Sequence, residues 1–167
     1  ISINLVVVRR PTCVCWSDAC PAGIGGYSLT GRAWRIRIPS SSILYMHPKV
    51  NNLLEFIGMV VNVWIECIDS ADAHECILAL GDNTSAIGWL FSTSKFPANS
   101  PSHRAHLVAA RQLSRVLIDT DHCLASQHIK GELNTVADLP SFSGSSRGKP
   151  HPIAFDDPPD DVLTLRF

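Results

Sequence analysis

The chain has 167 residues, of which 46% are hydrophobic and 17% are charged, and its formal net charge is -1. This length and apolar content suit one domain with a sizeable core. The near-neutral charge excludes a general attraction to nucleic acid or to anionic membranes, so any contact with a polyanion must be local. The sequence starts at Ile1 without a secretory signal pattern, and we interpret it as a fragment or a processed piece of a longer protein.

The cysteine pattern indicates the redox environment of the cellular compartment in which the protein occurs. They lack C-x-x-C pairing, and several lie in apolar runs, where a thiol behaves as a small hydrophobic group. We therefore expect reduced, structural cysteines in an intracellular protein, cytoplasmic or nuclear. The spacing of the first three does not suit zinc. The six positions are Cys13, Cys15, Cys20, Cys67, Cys76 and Cys123.

The first 38 residues predict three consecutive antiparallel strands. Residues 4–18 and 25–38 are rich in β-formers, with breaks at 21–26 and 30–31, where proline and glycine occur. In "AWRIRIP" apolar residues alternate with arginines, which is typical of a half-buried strand. Its apolar face consists of Trp34, Ile36 and Ile38, and its polar face of Arg35 and Arg37.

The segment "NNLLEFIGMVVNVWIECI", residues 51–68, is apolar nearly all round and predicts a buried helix. A membrane span is the competing interpretation. Glu55, Asn62 and Glu66 interrupt the apolar run, and its flanks lack anchoring charges, so we expect no membrane contact.

The remaining elements alternate strand and helix. We predict a strand at 76–82, a helix that follows it, a helix at 102–118, a strand at 122–129 and a short helix capped by Asn134. The long helix has an apolar side with Ala110, Leu113 and Leu117, and an outward side with Arg104, Arg111 and Arg115.

This order predicts an α/β fold with a five-stranded mixed sheet, three antiparallel strands followed by parallel strands, flanked by helices. Residues 1–142 form the domain. Residues 143–167, rich in Gly, Ser, Pro and Asp, are interpreted as a tail or linker.

Four acidic residues fall at similar places in these elements. Asp18 ends the first strand, Asp82 ends the first parallel strand, Asp138 lies early in the last helix, and Glu55 lies near the start of the buried helix. Ligands collect beyond strand ends in such sheets, and like charges there require a cation. Carboxylates without imidazole or thiolate suit Mg²⁺ or Mn²⁺, and two ions suit phosphodiester hydrolysis.

Each acid also has a structural interpretation. Asp18 suits a turn before the glycines, Asp82 suits a helix cap, Glu55 completes a near capping box with Asn52, and Asp138 suits a solvated helix position. Their joint order along the predicted elements favours the metal site.

The chain resembles the ribonuclease H domains of retroelement reverse transcriptases of the gypsy and DIRS-like kinds. The resemblance covers residues 13–142 and is carried by "WSDACPAGIGGYSL", by Glu55, by "LALGDNTSAIGWL" and by "QHIKGELNTVADLPSF". It implies a ribonuclease H-like fold and hydrolysis of the RNA strand of RNA–DNA hybrids. It also implies two Mg²⁺ ions, with Mn²⁺ as a substitute, and a parent reverse transcriptase polyprotein. The implied metal ligands are Asp18, Glu55, Asp82 and Asp138.

The closing motif departs from the family pattern. "ADLPSF" places Pro140 where the helix normally continues, so the helix is expected to end early. The histidine of cellular members is absent, because Glu132 follows Gly131, and we interpret His128 as structural. Cys20 occupies the position at which proofreading exonucleases carry a second acid, which argues against that activity.

Substrate contacts follow from position and charge. Asn83 and Ser85, beside Asp82, are candidates for nucleic-acid contacts. Arg104, Arg111 and Arg115 are candidates for phosphate contacts, and a solvated helix face is the alternative. A catalytically degenerate domain that acts as a structural or protein-binding module remains an alternative function, as does a nuclease of DNA junctions.

Overall fold

The computed structural model describes residues 9–134, apart from residues 43, 46, 48, 49, 71–73 and 101. The predicted closing helix, Asp138 and the predicted tail at 143–167 lie outside the described residues. The account below concerns the described part of the chain.

Five strands form one mixed sheet, as predicted. The order across the sheet is β3-β2-β1-β4-β5, in which β1, β2 and β3 pair antiparallel and β1, β4 and β5 pair parallel. The parallel strands require the intervening helices as crossovers. The strands are β1 (Cys13–Cys20), β2 (Gly23–Ser28), β3 (Ala33–Arg37), β4 (Cys76–Gly81) and β5 (Cys123–His128).

Three α-helices connect and cover these strands. They are α1 (Asn51–Asp69), α2 (Thr84–Trp89) and α3 (His103–Asp119), and 3-10 turns occur at Thr93–Lys95 and Gly131–Leu133. Helix α1 packs against β1, β2 and β4 on one side and against α3 on the other. It is therefore the central element of the core.

Helix α1 is long and apolar enough to cross a membrane, but 78% of its most apolar stretch is buried inside the protein. The core side chains Phe56, Val60 and Val63 are almost completely inaccessible to solvent. This confirms the predicted buried helix, and its apolar character is explained by contacts on all sides.

The predicted break at 21–26 is wrong for most of its length. Only Pro21 and Ala22 form the turn, and the glycine-rich segment that follows is strand β2. Strand β2 lies between β1 and β3, so its ladder bonds on both sides offset the weak strand preference of glycine. A Cβ atom on Gly26 would lie 2.5 Å from Nε1 of Trp34, which shows that the glycine makes room for the indole.

A buried polar link joins α1 to the sheet. The Trp34 indole N–H donates to Oδ1 of Asn62 at 2.9 Å, and Nδ2 of Asn62 donates to the Trp16 carbonyl at 2.7 Å. Trp34 is buried, whereas Arg35 and Arg37 are exposed, so the predicted alternation of β3 is confirmed. The link positions α1 over β1 and β3 with its polar atoms satisfied.

The side of α3 that faces the core includes the predicted apolar residues. Leu113 is buried, and Ala110 and Leu117 are half-buried and pack against the core. The buried residues of the helix are His106, Ala109, Leu113 and Val116. The sequence interpretation did not include His106, whose ring stacks on Phe56 and meets the edge of Trp89, with ring centroids 5.9 and 4.5 Å apart.

All six cysteines are free thiols, and five are buried. Burial, together with a hydrogen bond from Cys13 Sγ to the Glu66 carboxylate at 3.2 Å, raises the pKa of Cys13 to about 12. This thiol is therefore protonated and unreactive at neutral pH.

We expect Gly26→Ala to destabilise the protein by about 1–3 kcal/mol, because the new methyl group overlaps the Trp34 ring. The matched control is Gly88→Ala in α2, whose Cβ would make only an ordinary 3.8 Å contact with Lys95 and should be neutral or slightly stabilising. Urea unfolding measures both. Equal stability of the two variants would contradict the packing described for Trp34.

We expect His106 to make the protein less stable in mild acid. Burial lowers the pKa of His106, so below about pH 6.5 the unfolded chain takes up a proton that the folded chain resists. The free energy of unfolding should therefore fall as the pH is lowered from 7.5 to 5.5. The fall should be smaller in His106→Phe. The exposed His47→Phe variant is the control, and identical pH dependence in all three proteins would refute the assignment.

Candidate metal centre

The register of the parallel strands brings Asp18 and Asp82 together. Trp16 of β1 is paired with Leu80 of β4, so two residues further along each chain Asp18 lies beside Asp82. Asp82 directly follows the last residue of β4, as predicted. Asp18, however, lies inside β1 and pairs with Gly25, so the expectation that it ends the strand beside a glycine turn is wrong.

Helix α1 brings Glu55 to the same edge of the sheet. Near the other end of α1, Glu66 accepts a hydrogen bond from Cys13 at the start of β1. The helix therefore runs antiparallel to β1, and its first turns lie at the edge that carries Asp18. The near capping box proposed for Glu55 does not match the helix start, since the N-cap residue is Val50 rather than Asn52.

Carboxylate oxygens of Asp18, Glu55 and Asp82 all lie within 4.8 Å of one another. Asp18 is 7% exposed and Glu55 is 5% exposed, while Asp82 is half-buried. Three carboxylates at this spacing, without thiolate or imidazole, form a donor set that fits Mg²⁺ or Mn²⁺. Within the described residues the structure thus assembles three of the four predicted ligands, and the fourth, Asp138, lies outside them.

The segment after β5 passes close to Asp82. It forms the turn Gly131–Leu133, and a Cβ atom on Gly131 would lie 3.0 Å from Oδ2 of Asp82. Glycine therefore allows the backbone to approach the carboxylate closely. Gly131 was part of the sequence motif, but only the folded chain places it against Asp82.

Asn134 attaches the same segment to β1. Its side chain is completely buried, and Nδ2 donates to the carbonyl oxygen of Ser17, the residue before Asp18, at 3.1 Å. The sequence predicted Asn134 only as a helix cap. This contact spans 117 residues of sequence and has no local signal.

His128 contacts the backbone at the site rather than the carboxylates. Its Nε2 lies 3.0 Å from the carbonyl oxygen of Asp82. The side chain is exposed. The contact agrees with the structural interpretation of His128.

The two polar candidates that follow Asp82 differ in role. Asn83 caps α2, since its Oδ1 accepts from the backbone N–H of Ala86 at 3.0 Å, and its Nδ2 donates to Oδ1 of Asn52 at 2.8 Å. It thereby joins the starts of α1 and α2. Ser85 is half-buried in α2. Asn52 is an exposed residue at this edge that the sequence interpretation considered only as part of a cap.

The three arginines of α3 are exposed, as predicted, but they extend away from the carboxylates. Helix α3 leads from the edge that carries Asp82 towards the start of β5 at the opposite edge. Arg104 lies at the nearer end, and Arg115, about 16 Å along the axis, forms an ion pair with Asp119 at 3.5 Å. The structure thus does not bring Arg115 to the carboxylate cluster.

The sheet order, the crossover helices and the carboxylate edge define a ribonuclease H-like fold, and comparison with solved structures agrees. LC11-RNase H1 in complex with an RNA/DNA hybrid matches with a TM-score of 0.56 at 13% identity, over 77% of this chain and 93% of that one. RNase H1 from the halophilic archaeon Halobacterium salinarum NRC-1 matches with a TM-score of 0.56 at 16% identity, over 81% of this chain and 98% of that one. At these identities the similarity establishes the fold alone.

A third similar structure is a prototype foamy virus protease-reverse transcriptase, at 16% identity over 83% of this chain and 21% of that chain. Its TM-score is 0.47, which is too low to bear on function. No protein-family model matches the chain, and no curated protein matches it.

We expect Gly131→Ala to weaken divalent-cation binding without unfolding the protein, because its methyl group pushes against Oδ2 of Asp82. A cation that binds only the folded state raises the melting temperature by mass action. The rise produced by a Mn²⁺ titration should shift to higher Mn²⁺ concentration in Gly131→Ala and stay unchanged in the control Gly88→Ala. A titration that superimposes on that of the parent protein would contradict the close approach.

Proposed function

We propose that this chain is a ribonuclease H domain that hydrolyses, endonucleolytically, the RNA strand of RNA–DNA hybrids. The observation that carries the proposal is the convergence of the Asp18, Glu55 and Asp82 carboxylates within 4.8 Å on a ribonuclease H-like fold. The similar LC11-RNase H1 structure is a complex with an RNA/DNA hybrid, which supports this class of substrate.

The proposed cofactor is Mg²⁺, with Mn²⁺ as a substitute and two ions per site. Asp18, Glu55 and Asp82 would hold the ions, with Asp138 as the fourth ligand. Bound divalent cations supply Lewis-acid activation of water and stabilisation of the leaving oxygen.

The chain's own residues orient this chemistry. Asp18 and Glu55 are buried and held by β1 and α1, so their carboxylates are preorganised and largely shielded from water. Asp82 is more accessible than the other two, so it is the carboxylate that a phosphodiester would reach first. Gly131 leaves the space beside Asp82 free of side-chain atoms.

Substrate binding is proposed to use polar side chains at the same edge and basic side chains on α3. Asn83, joined to Asn52, and Ser85 would contact the backbone of the nucleic acid near the carboxylates. Arg104, Arg111 and Arg115 would contact phosphates further along a bound duplex, with Arg104 nearest to the site. Because the salt dependence of affinity grows with the number of phosphates contacted, these three arginines predict a measurable but modest fall in affinity with salt.

The wider context is also a proposal. We infer that the domain is fused to, or processed from, a reverse transcriptase polyprotein of a retroelement of the gypsy or DIRS-like kind, and that it acts inside the cell. The basis is the ordered set of motifs, which includes "SDAC", Glu55, "GDN" and "KGELNTVAD".

The second candidate function is a degenerate domain that serves as a structural or protein-binding module. Pro140 in the closing motif and the near-neutral charge favour it. The carboxylate cluster argues against it, because a purely structural role has no use for three acids that repel one another at one edge.

We expect the protein to cleave a labelled RNA–DNA hybrid in Mg²⁺ or Mn²⁺ and to leave single-stranded RNA and duplex DNA intact. Asp82→Asn should reduce the rate of cleavage at least about a hundredfold. The change removes one of the charges that would hold the metal ions, which stabilise the transition state by several kcal/mol. The matched control is Glu132→Gln, an exposed carboxylate close in sequence to Gly131, which should retain the parent rate.

The three outcomes separate the candidates. Hybrid-specific cleavage that Asp82→Asn abolishes supports the ribonuclease H proposal. Equal behaviour of the parent and Asp82→Asn proteins in Mn²⁺ at low salt would refute it for this chain and favour the binding module. Cleavage of duplex DNA or junctions would favour the DNA nuclease instead.

A further inference from the structure

Helix α3 carries apolar side chains at the protein surface. Leu107 and Ala110 are half-buried at the margin of the core, and Ile118 is exposed. In the described part of the chain these side chains line an open groove of about 500 Å³, formed by α3 together with Thr93. The lining residues used below are Leu107, Ala110, Arg111, Arg115 and Ile118. The groove is separate from the carboxylate cluster, none of whose residues line it.

The groove combines an apolar floor with a charged rim. Leu107, Ala110 and Ile118 follow one another at helical spacing, and Ile118 is 77% exposed. Arg111 and Arg115 lie on the same face. An apolar surface bordered by charges is typical of a site for another segment of polypeptide.

Residues 156–167, "DDPPDDVLTLRF", have the complementary composition. Four aspartates precede the apolar residues Leu163, Leu165 and Phe167, which alternate with Thr164 and Arg166. The aspartates match the two arginines of the rim, and the apolar residues match the floor.

The covalent connection makes this pairing feasible. Residues 135–155 number 21 and can span up to about 70 Å, whereas α3, with 17 residues, is about 25 Å long. A covalent tether of this length holds a segment at roughly millimolar effective concentration, so a weak intrinsic affinity is sufficient.

We propose that residues 156–167 bind in the α3 groove, with the aspartates on Arg111 and Arg115 and the apolar residues on Leu107, Ala110 and Ile118. Bound there, the acidic segment occupies two of the arginines that a nucleic-acid backbone would otherwise contact. The segment therefore competes with polyanions for this face. The proposal goes beyond the proposed function and does not depend on catalysis.

The test is hydrogen exchange of the amides of residues 162–167 in the full chain. Arg111→Glu combined with Arg115→Glu should accelerate their exchange at least about fivefold, because the rim then repels the aspartates. Changing Asp156, Asp157, Asp160 and Asp161 to Lys in that background should restore the slow exchange. Gln112→Glu, an exposed position on α3 that does not line the groove, is the matched control and should change nothing.

Other occupants of the groove give other results, and each would overturn the proposal. Exchange of residues 162–167 at the unprotected rate in the parent protein would show that the segment does not bind. Protection that grows with protein concentration would assign the groove to a second copy of the chain. Reduced hybrid binding in the charge-reversed variant, with unchanged exchange, would assign it to nucleic acid. Failure of hybrid cleavage leaves all these readouts intact, so the two proposals fail independently.

Discussion

The structure depends on holding three carboxylates close together. At a separation of 4.8 Å two ionised carboxylates repel by about 3 kcal/mol at an effective dielectric constant of about 20. Asp18 comes from the interior of a strand, Asp82 from a strand end and Glu55 from a helix, so the three carboxylates meet only when these elements pack together. The packing of α1 against the sheet, together with the divalent cation proposed for this site, supplies the opposing free energy.

Much of this arrangement is predictable because it depends on local patterns. The apolar run that becomes α1 and the short apolar run that ends at Asp82 are recognisable by length and composition. Parallel strands require crossovers, so the order of elements leads to the mixed sheet. Glu55 and Asp82 are therefore placed correctly from the sequence, and Asp18 is placed at the correct edge although not at the strand end.

The failures concern residues whose role depends on distant partners. The glycines of β2 look like a turn until Trp34 of the next strand is seen lying over Gly26. His106 looks polar, yet three aromatic rings make it a core residue. Asn134 bonds to Ser17 across almost the whole described chain. Such contacts are properties of the folded state, and no short window of sequence contains them.

The pairing of β1 with β4 has a consequence for sequence change over evolutionary time. Every paired position in these two strands differs by 64, from Cys13 with Ile77 to Trp16 with Leu80. A single residue inserted or deleted within either strand would place Gly81 or Asn83, rather than an acid, opposite Asp18. Changes of length are thus confined to the connections outside the paired segments, so relatives of this protein should diverge in loop length while these two strands stay ungapped.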